Sequence, residues 1–202
     1  MSSLDDLIRR ARQLHAEGHS QSQISDELNL SMETVTYLLM KEKGGDVPKD
    51  VLIDWTSVSG RADLLDELAS LMIGHSRAPG CAPAEAGEGA TTAVGIALSG
   101  IPLATLVALQ EGLSLAVYFP SRHSMAKPPV GSLSENFAPV NGEACILVDD
   151  VITSGKTLRE AVEYLRSRGA TPLSIWVIFD KRGLTEIDGV PVQALFRVSR
   201  LD

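Results

Sequence analysis

The sequence predicts an α/β fold, a parallel-sheet domain over residues 51–202 preceded by a small all-α domain over residues 1–43. Three observations predict it. From Val51 onward, apolar runs of strand length alternate with helical patterns, which implies a parallel sheet covered on both faces. The first forty-three residues instead carry three short blocks of helical periodicity. Between the two lies Lys43-Gly44-Gly45-Asp46-Val47-Pro48, whose glycines, proline and charge mark a linker over 44–50.

In the first domain, Leu4, Leu7, Ile8, Ala11 and Leu14 share one face of a helix over 4–17, and Gly18 is its stop. Ser20 or Ser22 caps a second helix, on which Ile24 and Leu28 lie four apart. Asn29-Leu30-Ser31 forms a short turn. Ser31 then caps a third helix whose inner face is Val35, Leu38 and Leu39. The outer face of that helix is expected to carry Met32, Glu33, Thr34, Thr36, Tyr37 and Lys41.

In the second domain, Val51–Trp55 reads as a short strand. Residues 61–74 read as a helix with Leu64, Leu65, Leu68, Leu71 and Met72 inward. Strands follow at 93–98, 115–119, 144–148 and 175–179, with a last edge strand at 192–198. Helices fill 102–111 and 158–168, and a long polar insert separates Phe119 from Ala144.

Apolar content of 44% with 22% charged residues is that of an ordinary soluble protein. The net charge of −8 argues against nonspecific nucleic-acid binding. Residues 1–43 themselves carry five basic and seven acidic side chains. Cys81 and Cys145 give no disulfide framework and no metal spacing, which suits a reducing cytoplasm. MSSLDDLIRRARQ lacks the apolar core of a signal peptide. Thr92–Leu109 is apolar, but Ser99, Gly100 and Pro102 break it, so no membrane span is expected.

The most informative segment is CILVDDVITSGKTL, Cys145–Leu158. An apolar strand ends in Asp149 and Asp150. Thr153, Ser154, Gly155, Lys156 and Thr157 then open a helix. A helix N-terminus offers free N–H groups and partial positive charge to a phosphate. The hydroxyls add donors, Gly155 permits close backbone approach, and the paired acids suit sugar hydroxyls. No P-loop pattern is present.

This segment resembles the ribose-phosphate signature of the type I phosphoribosyltransferases, and the likeness extends over Val51–Asp202. The resemblance implies 5-phosphoribosyl 1-diphosphate as ligand. Asp149 and Asp150 would sit on the ribose, Thr153–Thr157 on the 5-phosphate, and Mg2+ would arrive with the diphosphate rather than on a protein site. Ser99-Gly100-Ile101-Pro102 resembles the pyrophosphate loop of that family, and GIPLATLVAL is close to the orotate phosphoribosyltransferases. Those usually carry a lysine where Ser99 stands, so help for a departing diphosphate is weakened. Their mobile loop carries a basic set, which Arg122 and Lys127 match in part, while His123 occupies a lysine position. Asp180-Lys181-Arg182 resembles an acid-and-base pair near their base pocket.

SQSQISDELNLSMETVTYLLMK resembles the helix-turn-helix of transcription regulators. The resemblance places Thr34, Thr36, Tyr37 and Lys41 toward promoter DNA; the same three helices would also serve as an oligomerisation or docking module. With an orotate-type body behind this head, the chain resembles the archaeal glucose and fructose catabolism regulators, and in plan a bacterial purine repressor. The expectation is a cytoplasmic, homodimeric, ligand-responsive transcription regulator with no catalytic residues. The alternative is an active orotate phosphoribosyltransferase making orotidine monophosphate.

Overall fold

The computed structural model describes residues 4–40, 50–78, 87–124 and 128–199. Lys41, Cys81, Lys127 and the linker residues 44–49 lie outside them. The chain divides into two units between Asp54 and Trp55.

The first unit holds α1 (Leu4–Ala16), α2 (Gln21–Glu27) and α3 (Met32–Met40). Ile8, Ala11, Ile24, Leu28, Leu30, Val35 and Leu38 form its core, as the periodicity required. Of the two candidate caps on α2, Ser20 is the one used. Its Oγ accepts the Gln23 N–H at 3.2 Å, and the Gln23 side chain returns to the Ser20 N–H at 2.8 Å, a closed capping box. Asn29, at φ 52°, supplies the left-handed step between α2 and α3. No strand forms at 51–55, and Leu52 packs on the helical core. The head therefore runs to Asp54 rather than stopping before the linker.

The second unit contains α4 (Thr56–Ser59), α5 (Ala62–Ser76), β1 (Thr92–Ile96), α6 (Gly100–Glu111), β2 (Ser114–Phe119), β3 (Ser132–Leu133), β4 (Ala144–Ile152), α7 (Lys156–Ser167), β5 (Thr171–Asp180), β6 (Glu186–Ile187) and β7 (Val190–Arg197). The sheet order is β3-β2-β1-β4-β5-β7-β6. Pairs β1–β2, β1–β4, β4–β5 and β5–β7 are parallel, while β2–β3 and β6–β7 are antiparallel. The expected edge strand, β7, is thus partly covered by β6. One face of the sheet packs on α7 through Leu147, Val177, Leu158, Ala161 and Leu165. The other packs on α5 and α6 through Val148, Trp176, Leu65, Ala69, Leu103 and Val107.

Leu71, expected inward, is 58% exposed, because α5 buries the stripe Leu65, Ala69, Met72, Ile73 and Ser76 instead. Cys145 is buried in the sheet, and burial pushes its thiol up to about 12, so it behaves as a small hydrophobe. No helix among the described residues is long and apolar enough to cross a membrane.

Candidate functional site

Strand β4 does not end at the acids. It runs on to Ile152, because β5 continues beside it: Val151 pairs with Phe179 and Ile152 with Asp180. On its other side β1 stops pairing at Val148. This leaves a step in the sheet, and the start of α6 fills it. A Cβ on Gly100 would lie 2.3 Å from the Val148 carbonyl oxygen and 3.1 Å from Asp149 Cα. Gly100 is therefore required by the backbone of β4, a packing reason in addition to any ligand.

Asp149 and Asp150 lie beside that step, at 7% and 4% exposure. The expected strand over 144–148, with the acids following its end, is corrected accordingly: the acids lie within β4. Asp149 Oδ1 accepts the Asp150 N–H at 3.0 Å, and Asp150 Oδ1 accepts the Val151 N–H at 2.8 Å. Ser99, which is exposed, donates its hydroxyl to Asp150 Oδ1 at 2.7 Å and lies 3.4 Å from Asp149 Oδ1. Burial, and next the adjoining Asp150 charge, push the Asp149 carboxyl well above the usual carboxylate range.

The segment after the acids turns through Thr153 and Ser154 to Gly155, at φ 77°, and α7 begins at Lys156. Ser154 and Lys156 are exposed, and Thr153 and Thr157 half-buried. Gly155 is buried and its Cβ would lie 3.1 Å from Leu184 Cδ1, so its freedom serves the turn itself.

Arg122, in a 3-10 turn over Ser121–His123 just past β2, donates from Nη1 to Thr157 Oγ1. The structure therefore joins the insert's arginine to the Thr153–Thr157 turn rather than to the Ser99 loop. Burial and then the Arg122 charge hold His123 below the usual imidazole range.

Sequence reasoning missed the residue that organises this corner. Glu160, one turn along α7 from Lys156, accepts from the Tyr118 hydroxyl at 2.8 Å, the Ser121 N–H at 2.8 Å and the Ser121 hydroxyl at 2.9 Å. Burial, together with that bond to Glu160, pushes the Tyr118 phenol well up. No local pattern marks Glu160, since its partners stand 39 and 42 residues away.

Asp180 holds the turn after β5. It is fully buried, and its carboxylate accepts the N–H groups of Arg182, Gly183 and Leu184 at 2.8, 3.0 and 2.7 Å.

In the head, Thr34 does not face outward. It is 7% exposed, its N–H bonds to Ser31 Oγ, and its hydroxyl donates to Asp50 Oδ2 at 2.9 Å. Tyr37 is half-buried against the helical core, and Thr36 bonds back to the Met32 carbonyl at 2.8 Å. Met32, Glu33 and Met40 are the exposed residues of α3.

A cavity of about 470 Å³ lies away from all of these, toward the amino ends of β1 and β2, lined by Arg77, Glu88, Glu111, Leu113, Ile146 and Trp176 among others. It contains none of the predicted site residues. The chemistry instead gathers at the carboxyl ends of β1, β2 and β4, where parallel sheets bind ligands.

A parallel sheet with acids, a small-residue turn and a helix start at its carboxyl edge is the plan of a phosphoribosyltransferase-type body. Residues 62–194 match the phosphoribosyl transferase domain. The fold is shared with UMP synthase of Leishmania donovani (TM-score 0.55, 20% identity, 79% of this chain and 32% of that one). It is shared also with orotate phosphoribosyltransferase of Aeropyrum pernix (TM-score 0.53, 20% identity, 78% and 84%). Over the full length of both chains the sequence is 57% identical to Transcriptional regulator GfcR of Methanosphaerula palustris and 53% identical to that of Methanospirillum hungatei. The chain belongs to the GfcR family of transcriptional regulators.

Proposed function

We propose that the protein is a cytoplasmic, DNA-binding transcription regulator whose body senses 5-phosphoribosyl 1-diphosphate, with Mg2+, or a related phosphorylated ribose. The observation that carries this reading is the meeting of Asp149, Asp150, Ser99, the Thr153–Thr157 turn and Arg122 at one sheet edge. Ribose hydroxyls would displace Ser99 Oγ from the two acids. The 5-phosphate would take the start of α7 and replace Thr157 as the partner of Arg122, exchanging a neutral acceptor for a charged one. Ser99, Gly100 and Lys127 would face the diphosphate, with Mg2+ neutralising charge that the acids oppose. A homodimer would present two copies of α3 to half-sites about one helical turn apart. Thr36, Tyr37 and Lys41 remain the proposed contacts to promoter DNA. Thr34 serves the cap of α3.

Two measurements test this reading. Calorimetry with 5-phosphoribosyl 1-diphosphate and magnesium should show binding, and Tyr37→Ala should weaken binding to promoter DNA in gel shifts without altering that calorimetry. An unchanged gel shift in the variant would mean that another face of α3 meets the DNA.

The alternative, an active orotate phosphoribosyltransferase, draws support from the shared fold. Against it, Ser99 puts a neutral hydroxyl, already engaged by Asp150, where a leaving diphosphate needs positive charge. Nucleotide formation from orotate, the diphosphate and magnesium at about 1 per second or faster would establish the enzyme.

A further inference from the structure

Two side chains on the opening turns of α7 reach the same short turn of the insert. Thr157 and Glu160 stand three apart, so they share one face of the helix. Thr157 Oγ1 accepts from Arg122 Nη1. Glu160 takes the residue before that arginine: Oε1 accepts the Ser121 N–H at 2.8 Å and Oε2 the Ser121 hydroxyl at 2.9 Å. A third bond to Glu160 comes from the Tyr118 hydroxyl at 2.8 Å, in β2 just before the insert. The return of the insert closes on the same point. Its strand β3 pairs with β2, Ser132 opposite Phe119. Gly131, one residue earlier, is buried where a Cβ would strike both the Tyr118 hydroxyl and the Glu160 carboxylate.

A long side chain such as arginine loses rotamer freedom when it takes a ligand, and less is lost if its backbone is already fixed. Glu160 fixes Ser121 through both its N–H and its hydroxyl. The acceptor in each bond is a carboxylate, which strengthens them. Arg122, next in the chain, then reaches the start of α7. Without Glu160 the turn would lose these two bonds to α7, and the ligand itself would have to order Arg122.

We infer that Glu160 is the positioning residue that keeps Arg122 at the first turn of α7, so that this arginine reads the 5-phosphate end of the ligand and not its diphosphate. The inference rests on the function proposed above and names the residue that prepares its phosphate subsite. Glu160 acts through Ser121, since its carboxylate is turned to Tyr118 and Ser121.

The full chain is titrated by calorimetry with ribose 5-phosphate, and with 5-phosphoribosyl 1-diphosphate plus magnesium. Arg122→Ala should weaken both about ten-fold or more, as loss of a charge-assisted hydrogen bond does. Glu160→Ala should weaken both by a similar factor. Added to Arg122→Ala, it should cost less than about two-fold more, because its effect passes through the arginine. Glu160→Gln keeps an acceptor oxygen for the Tyr118 hydroxyl and the Ser121 N–H, and should stay within about three-fold of the wild type. A general loss of packing would give neither the vanishing effect nor the recovery. If Glu160→Ala does not fold, Ser121→Ala decides: it should weaken both ligands about three-fold alone, and have no effect beside Arg122→Ala. Without ligand, hydrogen exchange at the Ser121 N–H should quicken in Glu160→Ala.

Undiminished affinity in Glu160→Ala or Arg122→Ala, or a Glu160→Ala loss that persists in full without Arg122, overturns the inference while ligand binding stands. So does a loss confined to 5-phosphoribosyl 1-diphosphate, a wild type that takes this ligand but not ribose 5-phosphate, or unchanged exchange at Ser121. A wild type that binds neither ligand defeats the proposed function, and the inference with it.

Discussion

Replacing Asp149 by Asn should make the protein more stable and a poorer binder, and the two effects come from the same burial. The carboxylate is 7% exposed and adjoins Asp150; its Oδ1 accepts the Asp150 N–H at 3.0 Å and lies 3.4 Å from the Ser99 hydroxyl. Burial and the Asp150 charge hold its native ionisation well above the usual carboxylate value near 4. The native state then binds a proton more tightly than the unfolded chain does. Its contribution to stability is complete below about pH 4 and is lost as pH rises through the elevated native value. Asparagine has no proton to lose, so its advantage over aspartate should be small in acid and largest above neutrality. Relieving a functional-site strain of this kind typically gains about 0.5–2 kcal/mol. In a chain of this size that raises the melting temperature by about 1–8 °C. The same change removes a charge-assisted hydrogen bond to a ligand hydroxyl, worth about 1.5–3 kcal/mol, or roughly ten- to a hundred-fold in Kd. Thermal unfolding at pH 5 and pH 8, together with calorimetry against 5-phosphoribosyl 1-diphosphate and magnesium, reads both. A variant that melts lower at pH 8, or whose gain is the same at both pH values, would show that the acid pair is not held against its own charge.

Asp180→Ala should cost about 3 kcal/mol. It strips three backbone N–H groups of their acceptor, and water can reach the exposed turn to hold each loss near the lower end of about 1–3 kcal/mol. Melting should fall by about 6–12 °C with effector affinity unchanged, and a large affinity loss at unchanged stability would return Asp180 to the ligand site. Ser99→Lys should strengthen 5-phosphoribosyl 1-diphosphate binding by about ten-fold relative to ribose 5-phosphate, because it adds a cation at the diphosphate end. Equal changes for the two ligands in calorimetry would place Ser99 away from that end.

Much of the site was legible before any coordinates, because it is built from one continuous segment. Asp149 through Thr157 need only a strand, a turn and a helix start to come together, and each of these leaves a local pattern. The head was legible for the same reason: Ile8, Ala11, Ile24, Leu30, Val35 and Leu38 announce their burial by spacing, while the choice of Ser20 over Ser22 as cap came from the structure. What spacing could not show was how far a neighbour extends. Whether β4 stops at Val148 or runs to Ile152 depends on β5, and that difference buries the two acids. Leu71 and Leu65 look equivalent along the helix, but only the position of the sheet decides which one is covered.

Residue types and their periods set the order of strands and helices and the small-residue turn into α7, since those depend on interactions a few residues long. Tertiary structure alone put Ser99 on Asp150, Arg122 on Thr157, Glu160 on Ser121 and Asp50 on Ser31. Those partners stand 19 to 51 residues apart. A hydrogen bond across such a distance in the chain exists only after the sheet and the helical core have closed the loop entropy between its ends.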